Sequence, residues 1–398
     1  MSETDERRQE HPPPDRAPQR LLLVCPSPRL AHEAVAEGFG VRVLADAHQP
    51  HDGTLPPVPV DLVDFTDDAA VTEAIEASVR RYGTERLLAS AGSAELPAVT
   101  ETAARLGVCP NPPDAARLLG EPAAMRALLN GSRHSYVAAA RARTARELPD
   151  AVEEIGAPVT VRPLAPLSQD SAVRPVETPG EHSYLVEEYL QGPEFGVVTL
   201  TVDGMHRVVG IVALRGAWPA RSGSLFPALL GERDEAEARA ITTELLDLAG
   251  YEFGFAYTVV VLTANGPRVV RSQARYPDEP VASLIELATG FCAEAELVQA
   301  LTGKPVQPPT ADRCAAVVFY RLPAGRLLSV WGLEAVSELP GMHEVHFPYT
   351  SGDDIPRAGC GAEGYVMLTA ASAHDAAQTV AEAQRLLHAE VSPRSEPL

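Results

Sequence analysis

Lysine is nearly missing from this 398-residue chain: of its 33 basic residues, all but Lys304 are arginine. Chemistry that needs two lysines is therefore excluded, although a general excess of Ala, Arg and Pro fits a GC-rich coding sequence. Cysteine is sparse as well. The five (Cys25, Cys109, Cys292, Cys314, Cys360) are scattered without a CxxC pair, which argues against a zinc ribbon or a disulfide framework. The apolar runs, such as Leu21 to Cys25 and Val259 to Leu262, fall far short of the roughly 18 residues that a membrane span needs. The N-terminus is polar and proline-rich with no apolar core, so no secretory signal is expected and the cytoplasm is the expected location. No GxSxG elbow or HExxH motif occurs. With 54 acidic residues against 33 basic ones, the formal charge is −21, which argues against general affinity for nucleic acid.

What is present is an ordinary globular composition, 45% hydrophobic and 22% charged, in a chain long enough for two to three domains. Residues 1–19 carry Pro12-Pro13-Pro14 and many charges and read as a disordered tail. From Leu21 to Leu106 short apolar runs alternate with helical stretches: strands at Leu21–Cys25, Val41–Leu44, Val60–Phe65 and Arg86–Ala89, and helices between them. This is the pattern of a doubly wound parallel sheet. The pattern turns helical over Asn111–Leu129, and a short helix is expected at Leu148–Ile155. Strands then run together at Val159–Arg162, Tyr184–Tyr189, Phe195–Val202 and Arg207–Leu214, the last two joined at Asp203-Gly204. A helix over Asp234–Leu248 precedes a second hairpin, Phe255–Leu262 and Arg268–Gln273, with an expected turn at Asn265-Gly266. The fold class is thus α/β plus α+β, divided at 20–110, 111–306 and 307–392, with a short tail at 393–398.

Several patterns have ordinary explanations. Gly359 to Gly364 matches GxGxxG, but Pro356 and Arg357 precede it and a strand follows, so it reads as a turn and not as a dinucleotide loop. His343 and His346 are three apart in a strand and face opposite ways, as surface histidines. The acidic run Glu232 to Glu237 opens a helix, where carboxylates suit the positive end of the helix dipole. Asn130-Gly131-Ser132 is a formal glycosylation acceptor, without consequence unless the chain is secreted.

The informative stretch is Leu185-Val186-Glu187-Glu188-Tyr189-Leu190-Gln191-Gly192-Pro193-Glu194-Phe195. A strand, a tight Gly-Pro turn, an acidic residue and a second strand can present backbone donors and acceptors to a flat base while Glu194 accepts from a ribose. Read alone, the stretch is better explained as a surface hairpin with ordinary glutamates. The stretch, however, resembles the adenine hinge of the ATP-grasp superfamily, in particular carboxylate–amine ligases such as D-alanine–D-alanine ligase and the L-amino-acid (dipeptide) ligases. Other segments follow in the family's order. They are the helical approach from Ala115 through Met125-Arg126, the strand Ala157–Pro163, the hairpin Tyr257–Arg275, Leu284–Gly290, and a small C-terminal lobe with Leu333-Glu334, Leu339-Pro340-Gly341 and Gly364–Thr369. The resemblance implies an ATP-grasp fold behind a Rossmann-like pre-ATP-grasp domain, with ATP and magnesium as cofactors and an acyl phosphate that an amine attacks.

The sequence departs from the family where charge should gather. The two phosphate-contacting lysines correspond to Pro122 and Arg162, and the lid loop Leu164 to Ser171 has no glycine to let backbone N–H groups approach a phosphate. Magnesium needs hard oxygen ligands, yet the family's glutamate and Glu-x-Asn positions hold Val259, Arg271 and Gln273, so magnesium is doubtful. Glu187, the backbone of Glu188, Tyr189 and Leu190, and Glu194 are the expected nucleoside contacts. Arg162, Arg271 and Arg275 are the expected phosphate or carboxylate contacts, with Arg162 and Arg275 the candidates for any catalysis. Three readings stay open: a pseudoenzyme that keeps a nucleotide hinge, a divergent active ligase in which arginines replace lysine and metal charge, and a small-molecule binding or scaffold protein. The expected partners are a nucleotide and amino-acid-like small molecules, with a homodimer or a partner ligase at the protein level.

Overall fold

The computed structural model describes residues 18–49, 54–90, 97–132, 135–164, 183–218, 223–356 and 364–393. Most of the expected N-terminal tail, the lid loop from Ala165 onward, the GxGxxG turn up to Gly364 and the tail from Arg394 lie outside those residues.

The first unit is β1 (Arg20–Val24), α1 (Pro28–Ala36), β2 (Gly40–Asp46), β3 (Val60–Val63), α2 (Asp68–Ala77), β4 (Arg86–Ala89) and α3 (Pro97–Arg105). Its four parallel strands are ordered β3-β2-β1-β4. β1 is all apolar after Arg20 because both of its faces are covered. Leu22 and Val24 pack with Val71 and Ile75 of α2, whereas Leu21 and Leu23 pack toward the rest of the chain. The chain leaves β1 toward β2 on one side and returns to β4 on the other, so a crevice opens at the carboxyl ends of β1 and β4.

The next elements are α4 (Ala115–Gly120), α5 (Pro122–Ser132), β5 (Ala139–Ala142), α6 (Leu148–Ile155), β6 (Val159–Pro163) and β7 (Tyr184–Glu188). The strands β5, β6 and β7 form a small antiparallel sheet with β7 in the middle. β8 (Glu194–Val202), β9 (Met205–Ala213), β10 (Gly223–Phe226), α7 (Glu232–Ala249), β11 (Phe253–Thr263), β12 (Gly266–Gln273), α8 (Val281–Thr289) and α9 (Ala293–Leu301) follow. The last segment is β13 (Cys314–Tyr320), β14 (Gly325–Trp331), α10 (Leu333–Ser337), β15 (Met342–His346), β16 (Asp354–Ile355), β17 (Gly364–Ala370), α11 (Ala373–Leu386) and β18 (His388–Pro393). One sheet, ordered β12-β11-β8-β9-β10-β13-β17-β15, runs through both segments, and β16-β14-β18 form a third antiparallel sheet. Strands on either side of residue 307 are therefore neighbours in one sheet, through the pairing Gly223↔Val318 to Phe226↔Ala315.

Both hairpins form, with one difference from expectation. Asp203 and Gly204 have φ of 49° and 72°, the left-handed pair that a two-residue turn needs to match strand twist. In the second hairpin Thr263 pairs with Gly266, so the turn residues are Ala264-Asn265, one position earlier than expected. The Thr263 hydroxyl donates to the Gly266 carbonyl (2.7 Å) and accepts from the Asn265 N–H (3.2 Å), which holds that register.

The large sheet is buried on both faces. On one, Val197, Ala256 and Val260 meet Leu119, Met125 and Leu129 of α4 and α5 and Leu245 of α7. On the other, Val198, Leu200, Phe255, Tyr257 and Val259 meet Leu284 and Ile285 of α8. The first unit is tied to this body by Arg29, which donates to both oxygens of Glu286 at 2.8 and 2.7 Å. Lys304 makes a second tie, 2.9 Å from Glu37.

Candidate functional site

Two cavities open along one face of β11. Side chains alternate across a strand, so Val261, Val259, Tyr257, Phe255 and Phe253 share a face. Val261 lines a small cavity of about 150 Å³ between the small sheet and the hairpin, together with Thr160, Arg162, Glu187, Tyr189, Leu190 and Glu194. Phe253 and Phe255 line a larger cavity of about 550 Å³ against the first unit. Whole-ligand sites usually run to about 300–1,000 Å³, so the small cavity suits one end of a ligand and the large one a small molecule.

The small cavity holds the hinge. Glu188 at the end of β7 donates its N–H to the Ala138 carbonyl (2.9 Å), and the Tyr189 N–H donates to the Pro158 carbonyl (3.0 Å). The turn that follows lies hard against β11. Gly192 has φ of 157°, and a Cβ there would sit 2.1 Å from the Leu262 carbonyl oxygen. The turn returns the chain at Glu194, whose carboxylate accepts from the Arg215 guanidinium (3.0 Å from Nε).

Glu187 is placed differently from its neighbours. Its side chain is 4% exposed; one oxygen accepts from Arg126 Nε at 2.6 Å and the other lies 3.3 Å from Arg162 Nε. It therefore faces arginines and not the open hinge. Arg126, itself 3% exposed, also donates to the Val269 carbonyl (2.7 Å) and the Ser135 carbonyl (3.3 Å). Arg162 donates to the Val270 carbonyl at 3.0 Å. Burial pulls the Arg162 pKa down from the usual arginine range, and the neighbouring Arg126 and Arg271 pull it further, against the opposite effect of Glu187 and Glu194. In the sequence Arg126 stands out only as part of the approach helix, and Arg215 does not stand out at all. The signal for Arg126 is a charge inside the otherwise apolar stripe Met125, Leu129, both of which are buried.

Between the two cavities the sheet face carries Val259 directly opposite Arg271, and Tyr257 opposite Gln273. Val270 is the extra residue of a bulge, which keeps Arg271 in register with Val259. Val259 is buried and Arg271 exposed. The Tyr257 ring leans over Gly196 of β8, where a Cβ would meet its hydroxyl at 2.4 Å. Burial pushes the Tyr257 pKa up to about 12, with Arg271 opposing. Pro122 stands at the first position of α5, where its missing N–H costs no helix bond. The lone lysine is outside this region, on Glu37.

The large cavity lies at the crevice of the parallel sheet. Cys25, Ser27, Ala89, Val99 and Ala103 form one wall, and Tyr251, Phe255, Ala282 and Leu297 form the other. Arg275 is at its edge, paired with Asp278. Burial raises the thiol pKa of Cys25 and of Cys109, so both are neutral wall groups. Of the predicted residues, Arg162, Glu187 to Leu190 and Glu194 come together in one cavity, Arg275 belongs to the other, and Arg271 stands between them. Among the described residues, no group of three or more His, Cys, Asp and Glu side chains could hold a metal ion. No described helix is long and apolar enough to cross a membrane.

Comparison with solved structures matches the fold over nearly the whole chain. L-amino acid ligase from Bacillus licheniformis superposes with a TM-score of 0.75 at 18% identity, covering 95% of this chain and 100% of that one. N5-carboxyaminoimidazole ribonucleotide synthetase from Thermotoga maritima gives 0.67 at 16% identity, with 94% and 100% covered. The chain has the ATP-grasp fold. A biotin carboxylase from Campylobacter jejuni, solved as a beta-gamma-ATP complex, also matches this ATP-grasp chain, with a TM-score of 0.62 at 13% identity over 93% and 92%. Residues 318–392 match the family model for L-amino acid ligase C-terminal domain 2, so the last lobe of the ATP-grasp chain resembles that of the amino acid ligases. No curated protein matches the chain.

Proposed function

We propose that this ATP-grasp protein binds an adenine nucleotide at the 187–194 hinge and an amino-acid-like small molecule in the large cavity, in a cytoplasmic biosynthetic role, with its ancestral amide-forming chemistry impaired. The observation that carries the reading is the continuity of one sheet face. The base-sized cavity at Val261 and the cavity at Phe253 and Phe255 lie on the same strand face, with the pairs Val259–Arg271 and Tyr257–Gln273 between them. A ligand seated at the hinge thus points its phosphates toward the second ligand, the arrangement that carboxylate activation requires. At that junction an apolar and a cationic side chain stand where hard oxygen ligands would be needed, which supports impairment.

The second reading is an active ligase, and the guanidiniums of Arg162 and Arg271 near the junction favour it, since arginine can grip phosphate oxygens in pairs. In that case a substrate carboxylate attacks the γ-phosphorus and releases ADP, and an amine then displaces phosphate from the acyl phosphate to form the amide. Isothermal calorimetry with ATP tests nucleotide binding. A screen of amino acid pairs for ADP release then separates the two readings: release that depends on the amine establishes the ligase, and ATP binding without release establishes the impaired protein. Failure of ATP and adenosine to bind removes both.

A further inference from the structure

The residues at the junction do not fit a divalent cation. Magnesium takes near-octahedral oxygen ligands. Val259 offers none, Arg271 is a cation, and Gln273 and Tyr257 offer one neutral oxygen each on that face. The described residues hold no cluster of carboxylates that could serve instead. The carboxylates nearest the hinge are already engaged: Glu187 by Arg126 and Arg162, Glu188 by the Ala138 N–H (2.9 Å), and Glu194 by Arg215.

Among the described residues, the guanidiniums of this region have few carboxylates to themselves. Arg126 and Arg162 share the single carboxylate of Glu187, and Arg271 stands close enough to disturb Arg162 electrostatically. Arg162 is partly buried, with 23% of its side chain exposed, and among the described residues it also donates to a neutral carbonyl, Val270 O. In a partly desolvated cleft, two cations near one another are relieved by an incoming polyanion. Among the described residues, the guanidiniums of Arg126, Arg162 and Arg215 in the small cavity are balanced by Glu187, Glu188 and Glu194, and Arg271 beside it adds a positive charge, although the chain as a whole carries a formal charge of −21.

We propose that the cleft takes its nucleotide as the metal-free polyphosphate, with Arg271 standing where a divalent cation would sit and Arg162 turning from Val270 to the phosphates. This inference rests on the nucleotide reading above. Magnesium then acts as a competitor. Bound to the phosphates it cancels the charge that the guanidiniums recognise, and it brings its own positive charge against Arg271. Free ATP and free ADP are the ligands favoured, each over its magnesium complex.

The test is calorimetry of the full chain with ATP and with ADP, in EDTA and in excess magnesium, with adenosine as the phosphate-free control. The expected result is binding about tenfold tighter in EDTA, as charge-assisted contacts to phosphate would give. Arg271→Gln should erase that advantage while leaving adenosine affinity unchanged. Because Arg271 is exposed, this variant should fold, and the adenosine control verifies it. Binding that requires magnesium, or that is equal in both conditions, overturns the inference and leaves the nucleotide reading intact. Adenosine binding without any gain from phosphates overturns it as well. No binding of adenosine, ADP or ATP overturns both.

Discussion

Arg126 and Glu187 form an ion pair 2.6 Å long between α5 and β7, with both side chains almost completely buried. The pair connects three pieces of the molecule. Arg126 rises from the approach helix, Glu187 belongs to the central strand of the small sheet, and the second guanidinium nitrogen reaches the Val269 carbonyl on β12. The Val269 N–H in turn donates to the Ser135 hydroxyl at 2.9 Å. The small sheet, which carries the hinge, is thus fixed to the hairpin that carries Val259 and Arg271. Glu187 acts as a positioning residue for Arg126 and Arg162.

A buried pair of this kind is costly to break from one side. Glu187→Gln should leave Arg126 without its counter-charge and destabilise the fold by about 3–5 kcal/mol, read from urea unfolding. Arg126→Met with Glu187→Leu removes both charges at similar volume and should cost clearly less than either single change. A double variant as unstable as the sum of the singles would mean that the pair does not act as a unit.

Glu194 is held by Arg215, whose side chain is 61% exposed, so this pair contributes little by itself. Arg215→Ala should change stability and nucleotide affinity by less than about 1 kcal/mol. Glu194→Ala removes the acceptor expected for a ribose hydroxyl and should weaken adenosine and ATP binding alike by about 1–3 kcal/mol. Unchanged adenosine affinity in Glu194→Ala would remove this residue from the site.

Much of this arrangement is legible in residue order alone. Asp203-Gly204 specifies a left-handed turn whatever surrounds it, and the alternation of apolar runs from Leu21 onward specifies the parallel sheet. The pairing of Val259 with Arg271 is not, because it depends on a turn one residue earlier than Asn265-Gly266 and on the bulge at Val270. What is not legible depends on partners distant in sequence. Ala139–Ala142 is too short and too rich in alanine to stand out, and becomes a strand because it pairs with Tyr184–Glu187. β14 finds β18 some sixty residues later, Trp331 opposite His388, and no local pattern encodes that pairing. Arg126 shows in the sequence only as a charge beside the apolar Met125 and Leu129, and only the fold brings Glu187 to it. The large cavity exists only where the first unit meets β11 and α9, so no single segment announces it.

Gly192 offers a sharper test of the hinge. A methyl group there has no space, because the nearest atoms are backbone atoms of Leu262, at 2.1 Å for oxygen and 2.8 Å for carbon. The adjoining bond from the Leu262 N–H to the Pro193 carbonyl, 3.0 Å long, holds the turn to β11. Gly192→Ala should push the turn outward and destabilise the chain by more than about 1 kcal/mol. Adenosine affinity should fall with it, since Tyr189 and Leu190 ride on the same turn. Gly303→Ala, at φ of 78° with open space around the Cβ, is the control for a positive-φ substitution without a clash.

Tyr257 gives the region between the cavities a signature in alkaline solution. Its hydroxyl titrates near 12 in the folded chain against an ordinary 10.0, chiefly because burial disfavours the phenolate; Arg271 opposes this, and Asp278 and Glu194 add to it. Above pH 10 the unfolded chain therefore loses a proton that the folded chain retains. The contribution is complete below about pH 10 and is lost as pH rises from there through about 12. The loss across that window is on the order of 2–3 kcal/mol. Tyr257→Phe keeps the ring over Gly196 and removes the titration. Its urea midpoint should fall less steeply than that of the native chain between about pH 9 and about pH 11.5. Arg271→Gln removes a cation that favours the phenolate, so it should push the Tyr257 titration higher still, in the absorbance that reports phenolate. Parallel midpoints for Tyr257→Phe and the native chain would show that the hydroxyl is not buried, and a downward displacement of the titration in Arg271→Gln would place the guanidinium away from Tyr257.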